Sequence, residues 1–145
     1  MITIDIFVTY TIRDKFLNYY LLEKLNRSLM KISRTTCYID ILYNFDNKYI
    51  SNPQQNIENQ LKRSSCVLAI NTPKINLSPW ARMELEIALK NHKPVLMVSF
   101  KSIMRILAND RPVFSHLSEM LYHSIFLSGK VLSLEDYEGR FSFKR

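Results

Sequence analysis

Two short runs constrain what this chain can fold into more than any other feature. Ser65 to Ile70 and Pro94 to Ser99 are almost wholly apolar, rich in Val, Leu and Ile, with no polar residue at alternate positions. A strand solvated on one face alternates; one that does not is covered on both faces, as in the middle of a parallel sheet. Between them Pro79 to Asn91 reads as a helix, with Ser78 as N-cap and Pro at the first helical position. The two runs are therefore expected as parallel strands joined by a crossover helix.

The rest of the chain supplies the remaining elements. Ile2 to Tyr10, through Ile4, Ile6, Phe7 and Val8, has the β-branched and aromatic enrichment of a first strand. From Asp14 to about Ser33, Leu17, Leu21, Leu25 and Leu29 recur every four residues with Lys15, Asn18, Lys24 and Arg27 between them, which predicts an amphipathic helix. Thr36 to Leu42 is a short second strand, Tyr43 to Asn52 a loop, and Pro53 opens a helix around Ile57 and Leu61. Asn71 to Ser78 is another loop. After Phe100, Ser102 to Ala108 and Phe114 to Tyr122 are predicted helical around a break at Pro112. His123 to Leu127 and Lys130 to Leu134 flank Ser128-Gly129, a two-residue turn that predicts a terminal antiparallel hairpin. The expected fold is a three-layer, flavodoxin-like α/β sandwich around a mainly parallel sheet, one domain with a core over 1–138 and a basic, partly ordered tail from Gly139 to Arg145.

At 145 residues and 47% hydrophobic content, a core can form without disulfide or metal staples. Cys37 and Cys66 each sit in an apolar run and form no CxxC pair, so both are expected as buried free thiols of a cytoplasmic protein. No apolar run approaches the roughly 20 residues of a membrane span, and the N-terminus has no signal-peptide pattern. The net charge of +7 favours anionic partners without naming one. Its basic residues are spread along the chain, with Lys62-Arg63 and Lys144-Arg145 the only adjacent pairs, which is weak support for nucleic-acid binding.

Several chemistries lack their residues. Gly occurs only at 129 and 139, so no glycine-rich phosphate loop follows the first strand. No GxSxG nucleophile turn is present. His92, His116 and His123 lie far apart with no partner at ligand spacing, and no metal site is expected.

In open α/β sheets, ligands bind beyond the carboxyl ends of the strands. The loops there hold Tyr10, Thr11, Arg13, Asp14, Asp46, Asn71 and Trp80, an aromatic and polar set suited to a nucleotide-like ligand. Glu84 stands out beside them. The capping-box position after Ser78 is Ala81, so Glu84 does not serve the helix start, and its i+3 and i+4 neighbours are Ile87 and Ala88, so it has no helical ion pair. It is expected on a line with Trp80, Ile87 and Ala88, facing apolar surroundings, where a carboxylate invites a functional reading. The structural alternative is that Glu84 reaches solvent from the edge of the apolar stripe or pairs with an Arg from another element.

Ile6-Phe7-Val8-Thr9-Tyr10 followed by Arg13-Asp14, the run Ser64 to Ile70, and Ser78-Pro79-Trp80-Ala81-Arg82-Met83-Glu84-Leu85 form a set that resembles the Toll/interleukin-receptor (TIR) family. The first is similar to the family's "FISY…D" opening and the last to its "S-x-W…E-L" motif. The likeness covers roughly residues 2–99. Tyr122 to Glu135 is similar to the end of small stand-alone bacterial TIR-like proteins of Thoeris-type antiphage systems.

The resemblance implies cleavage of the nicotinamide–ribose bond of NAD⁺ by a glutamate at the position of Glu84, giving ADP-ribose or a cyclised or conjugated signalling nucleotide. Tyr10 would stack on a ring of the substrate, Thr9 and Thr11 would offer hydroxyls, Trp80 would wall the pocket and Arg13 would meet the pyrophosphate. NAD⁺ enters as substrate, so no cofactor is expected. The implied partners are other TIR domains through self-assembly and a separate effector reached through the nucleotide product, with no membrane partner. Two alternatives stay open: a non-catalytic TIR assembly module, and a nucleoside deoxyribosyltransferase-like enzyme working through a covalent intermediate.

Overall fold

The computed structural model describes residues 3–40 and 53–142. The chain runs β1 (Ile4–Thr9), α1 (Tyr19–Met30), β2 (Thr35–Tyr38), α2 (Pro53–Arg63), β3 (Cys66–Asn71), a 3-10 turn (Ile75–Leu77), α3 (Pro79–Lys90), β4 (Val95–Ser99), α4 (Phe100–Leu107), α5 (Arg111–Ser124), β5 (Val131–Ser133) and α6 (Leu134–Ser142). The five strands form one sheet in the order β2-β1-β3-β4-β5, and every pairing is parallel. This is the flavodoxin-like α/β architecture expected from the two apolar runs, which lie side by side at β3 and β4 with Val67 opposite Val95 and Ile70 opposite Val98.

Alternate residues of the strands feed two cores. Ile4, Ile6, Val8, Leu68, Ile70, Leu96 and Val98 face one layer, where Leu22, Leu25 and Leu29 of α1 pack with α4 and α5. Phe7, Val67, Ala69 and Val95 face the other, against Ile57 and Leu61 of α2 and Ala88 of α3. Burying β3 completely explains its lack of alternation: all five residues from Cys66 to Ile70 are buried. Cys37 and Cys66 are buried free thiols, and burial pushes both up to about 12.

Local chemistry sets the helix starts. Asn18 accepts from the Leu21 amide (2.9 Å), so α1 begins at Tyr19 rather than near Asp14, and Leu17 joins the core from the loop before it. Pro112 does not break a helix. It sits in the first turn of α5 behind the N-cap Asp110, where its missing N–H would have had no helical partner.

The expected antiparallel hairpin is wrong. α5 continues to Ser124, and β5 lies parallel to β4, with Val95 opposite Val131. Gly129 does adopt a left-handed conformation (φ +68), but in the turn between a helix and a strand, where its N–H donates to the His92 carbonyl (2.9 Å). Glycine at positive φ serves both kinds of turn, so the dipeptide could not distinguish them. Beyond β5 the chain stays ordered as helix α6 through Ser142, which includes the first residues assigned to the tail. The predicted loop Tyr43 to Asn52 lies outside the described residues.

Candidate active site

The carboxyl ends of β1 and β3 face the first turns of α3. Ser78 caps that helix, its hydroxyl accepting from the Ala81 amide (3.2 Å), and Pro79 fixes the first turn. The buried stripe of α3 is Ala81, Glu84 and Ala88, so a carboxylate occupies a position at which the helical period calls for an apolar residue. Glu84 is 7% exposed, and its Oε1 accepts a 2.6 Å hydrogen bond from the hydroxyl of Thr9, which is fully buried at the end of β1.

Burial pushes Glu84 up to about 7, the Thr9 hydrogen bond works against that shift, and the charge of Asp40 adds to it. A carboxyl tuned in this way changes charge near neutral pH and can either hold a proton or stabilise a developing cation. Glu135 shows what the same residue type does elsewhere on this edge of the sheet. It accepts from the Ser99 amide (2.9 Å) and the Ser102 hydroxyl (2.7 Å), and although burial opposes them, these bonds hold its carboxyl below the usual range.

The other residues singled out from the sequence fall around this centre in different ways. Tyr10 is half-buried, packed on the α1 side of the sheet. Thr11 is buried, and its hydroxyl accepts from the Arg13 amide (3.2 Å), while the Arg13 side chain is exposed. Asn71 is exposed at the end of β3, paired in register with Ser99. Trp80 is 52% exposed and does not share the buried line of Glu84; the line expected through Trp80 runs through Ala81 instead. Asp46 lies outside the described residues.

Asp14, in the first loop, accepts from the Lys74 amide at 3.1 and 3.2 Å through its two oxygens, tying the β1–α1 loop to the β3–α3 loop. Neither this brace nor the influence of Asp40 on Glu84 is legible along the chain, because both couple segments far apart in it. The same holds for His116, whose Nδ1 lies 3.2 Å from Glu138. Thr72, next after β3, buries a hydroxyl that has no hydrogen-bond partner among the described residues. An open cleft of about 470 Å³ between α2 and the β1–β2 edge, lined by Asp5, Tyr38, Asn56 and Arg63 among others, contains none of the residues singled out above. Among the described residues no three His, Cys, Asp or Glu side chains gather as a metal-binding group.

Comparisons with known proteins bear on the family. The chain is similar to the TIR domains in the structure of the activated Roq1 resistosome directly recognizing the pathogen effector XopQ, with 15% identity, TM-score 0.46, and coverage of 97% of this chain and 98% of the other. It is also similar to a conserved protein from Enterococcus faecalis V583, with 14% identity, TM-score 0.48, and coverage of 96% and 99%. No curated protein matches the sequence. Residues 6–128 match the family model described as TIR domain, a span that includes β1 from Ile6 to Thr9, the whole of α3 and Glu84, and the chain therefore belongs to the TIR domain family.

Proposed function

We propose that this TIR domain cleaves the nicotinamide–ribose bond of NAD⁺, with Glu84 as the catalytic carboxylate. The observation that carries the reading is the buried Glu84, held by Thr9 at the carboxyl ends of the strands and shifted to about 7. Breaking the bond sends its electron pair to the nicotinamide nitrogen, which leaves neutral, and positive charge develops on the ribosyl carbon and ring oxygen. A carboxylate fixed beside that centre opposes the charge and accepts hydrogen bonds from the ribose hydroxyls, and weak screening in a buried site strengthens both effects. The ribosyl centre is then taken by water, which gives ADP-ribose, by a nucleophile of the same molecule, which gives a cyclised product, or by a nucleophile of a second small molecule, which gives a conjugate; a nucleophile that carries a proton releases it as the new bond forms.

Thr9 acts as a positioning residue in this scheme, orienting Glu84 and favouring its ionised form. Tyr10, Thr11, Arg13, Asn71 and Trp80 lie on the strand ends and loops around it and would contact the substrate, and Asp46 is proposed to join them. The product would act as a signal in antiphage defence, as in Thoeris-type systems, and copies of the domain would assemble to work.

The test is NAD⁺ loss by concentrated purified protein, with wild type beside Glu84→Gln and the products separated by mass. Turnover present in the first and absent in the second is the expected result; equal turnover would sink the assignment of Glu84. A second reading, a non-catalytic assembly module, draws on the exposed apolar residues of the same loops, Ile12, Phe16, Leu77 and Trp80. It requires the wild type to leave NAD⁺ intact at every concentration while self-association survives Glu84→Gln.

A further inference from the structure

The amino ends of the strands carry a separate chemistry. Lys31 and Arg34 precede β2, Lys62 and Arg63 close α2, Lys90 closes α3, Lys93 follows it and Lys130 precedes β5. The parallel register brings these segments to one level, since Ile4 lies opposite Thr35, Ile6 opposite Cys66 and Val95 opposite both Val67 and Val131. Hydrogen bonds lock them together. The Ile4 amide donates to the Arg34 carbonyl (2.9 Å), the Val95 amide to Lys130 (2.9 Å), and the Lys93 ammonium to the Lys62 carbonyl (3.0 Å).

None of these seven cations makes an ion pair among the described residues. The carboxylates nearest to them are committed or set back. Asp5 accepts from Thr36, Glu23 pairs with Arg27 (2.8 Å), and Glu58 and Glu86 stand four residues before Lys62 and Lys90 on the same helices, where they offset part of that charge. Favourable contact with helix carboxyl ends accounts for Lys31, Lys62, Arg63 and Lys90, and for Lys93, whose ammonium donates to the Lys62 carbonyl in the last turn of α2. It does not account for Arg34 and Lys130, which lie on the connections before β2 and β5.

Exposed apolar side chains stand between the cations. Phe126 is 75% exposed on the turn beside Lys130, and Met30, Leu89 and Val131 are exposed at the ends of α1 and α3 and the start of β5. Three of these four, Met30, Leu89 and Val131, are aliphatic and offer nucleic-acid bases no stacking platform, and Phe126 is the one aromatic among them. A bilayer surface takes both components, its anionic headgroups meeting Lys and Arg while apolar tips enter the headgroup boundary.

We propose that the amino-end edge of this domain docks on an anionic lipid bilayer, with Phe126 entering the headgroup region. No helix among the described residues is long and apolar enough to cross a membrane, so the contact is peripheral. It leaves the Glu84 mouth, at the opposite edge, facing water.

The experiment is co-sedimentation of the purified full chain with phosphatidylcholine vesicles, with or without about a third phosphatidylserine. Binding is expected only with phosphatidylserine, and it should weaken strongly between ~0.05 and ~0.5 M salt. Each neutralised cation should cost about fivefold in affinity, so Lys62→Glu, Lys90→Glu and Lys130→Glu combined should lower it by more than about 100-fold. Lys74→Glu, Arg82→Glu and Lys101→Glu combined make the same charge change elsewhere on the molecule and should leave most of the binding. Phe126→Ala, which removes no charge, should weaken it several-fold. Circular dichroism checks that both triple variants fold. Equal binding to neutral vesicles, equal loss in the two triple variants, or capture of a labelled single-stranded oligonucleotide with no vesicle binding would each overturn the proposal.

Discussion

At the carboxyl ends of the strands the charged groups that matter are carboxylates held in specific contacts, with Asp14 on the Lys74 amide, Glu135 on Ser99 and Ser102, and Glu84 on Thr9. At the amino ends they are cations with no ion-pair partner among the described residues, projecting from turns and helix ends. Both edges belong to the same five strands, and the crossover helices run antiparallel to them, so helix amino ends point to one edge and helix carboxyl ends to the other. Helix dipoles alone bias acids to the first edge and bases to the second. What separates the two edges further is burial. Glu84 has given up water for a single hydroxyl, whereas Lys62, Lys90 and Lys130 keep theirs. A group deprived of water is set up to act on a bound small molecule, and a group that keeps it is suited to a large, salt-sensitive surface.

The sharpest way to break this contrast is to remove the Glu84 charge. Glu84→Gln should lower NAD⁺ turnover by about 10²–10³-fold or more, in line with the loss of a preorganised electrostatic group, measured as product formation per enzyme. Turnover by the wild type should rise with pH through about 7 as Glu84 ionises.

The same substitution tests the burial argument through stability. The folded state holds the Glu84 proton to about 7 against an ordinary 4.5, so it binds more protons than the unfolded chain between those values. Stability contributed at this site is therefore highest below about 4.5, falls as pH rises through 7 and then levels. Denaturant unfolding should find Glu84→Gln more stable than wild type by about 3 kcal/mol at pH 8, with the difference shrinking towards pH 5. A variant that loses stability at pH 8 would show that Glu84 supports the fold rather than burdening it.

Thr9→Val removes the hydroxyl that favours the ionised form. It should cost roughly 1–2 kcal/mol and move the inflection of the pH–rate profile upward, an effect that a purely structural threonine would not have. Asp14→Ala should cost about 1 kcal/mol and speed hydrogen exchange at the Lys74 amide while leaving the core amides protected. The smallest effect belongs to the other edge: replacing Lys62, Lys90 and Lys130 by Glu should cost about 0.5 kcal/mol per site, mostly from the helix-end contacts of Lys62 and Lys90, because none of the three forms an ion pair among the described residues.

Much of the fold was legible where local pattern and tertiary environment agree. The unbroken apolar runs at β3 and β4 could only be central strands, and Ser78-Pro79 marked the start of α3 to the residue. Reading failed where one local signal fits two environments. Ser128-Gly129 reads as a hairpin turn, yet a left-handed glycine closes a helix-to-strand turn as readily. Pro112 reads as a break, yet proline ends one helix and begins another by the same missing N–H.

Glu84 was visible as a carboxylate without a helical partner, and that much the sequence settled unaided, along with the parallel sheet and the helices on both faces of it. Its partner was not visible as such, since Thr9 lies 75 residues away and reaches it only when β1 is laid beside β3 under α3. The same parallel register gathers cations from four separate segments onto one edge, although along the chain they look scattered. Periodicity and capping are local and survive in a one-dimensional reading. Burial, the shift of a carboxyl to about 7 and the sorting of charge between two edges depend on which distant segments become neighbours, and only the folded sheet decides that.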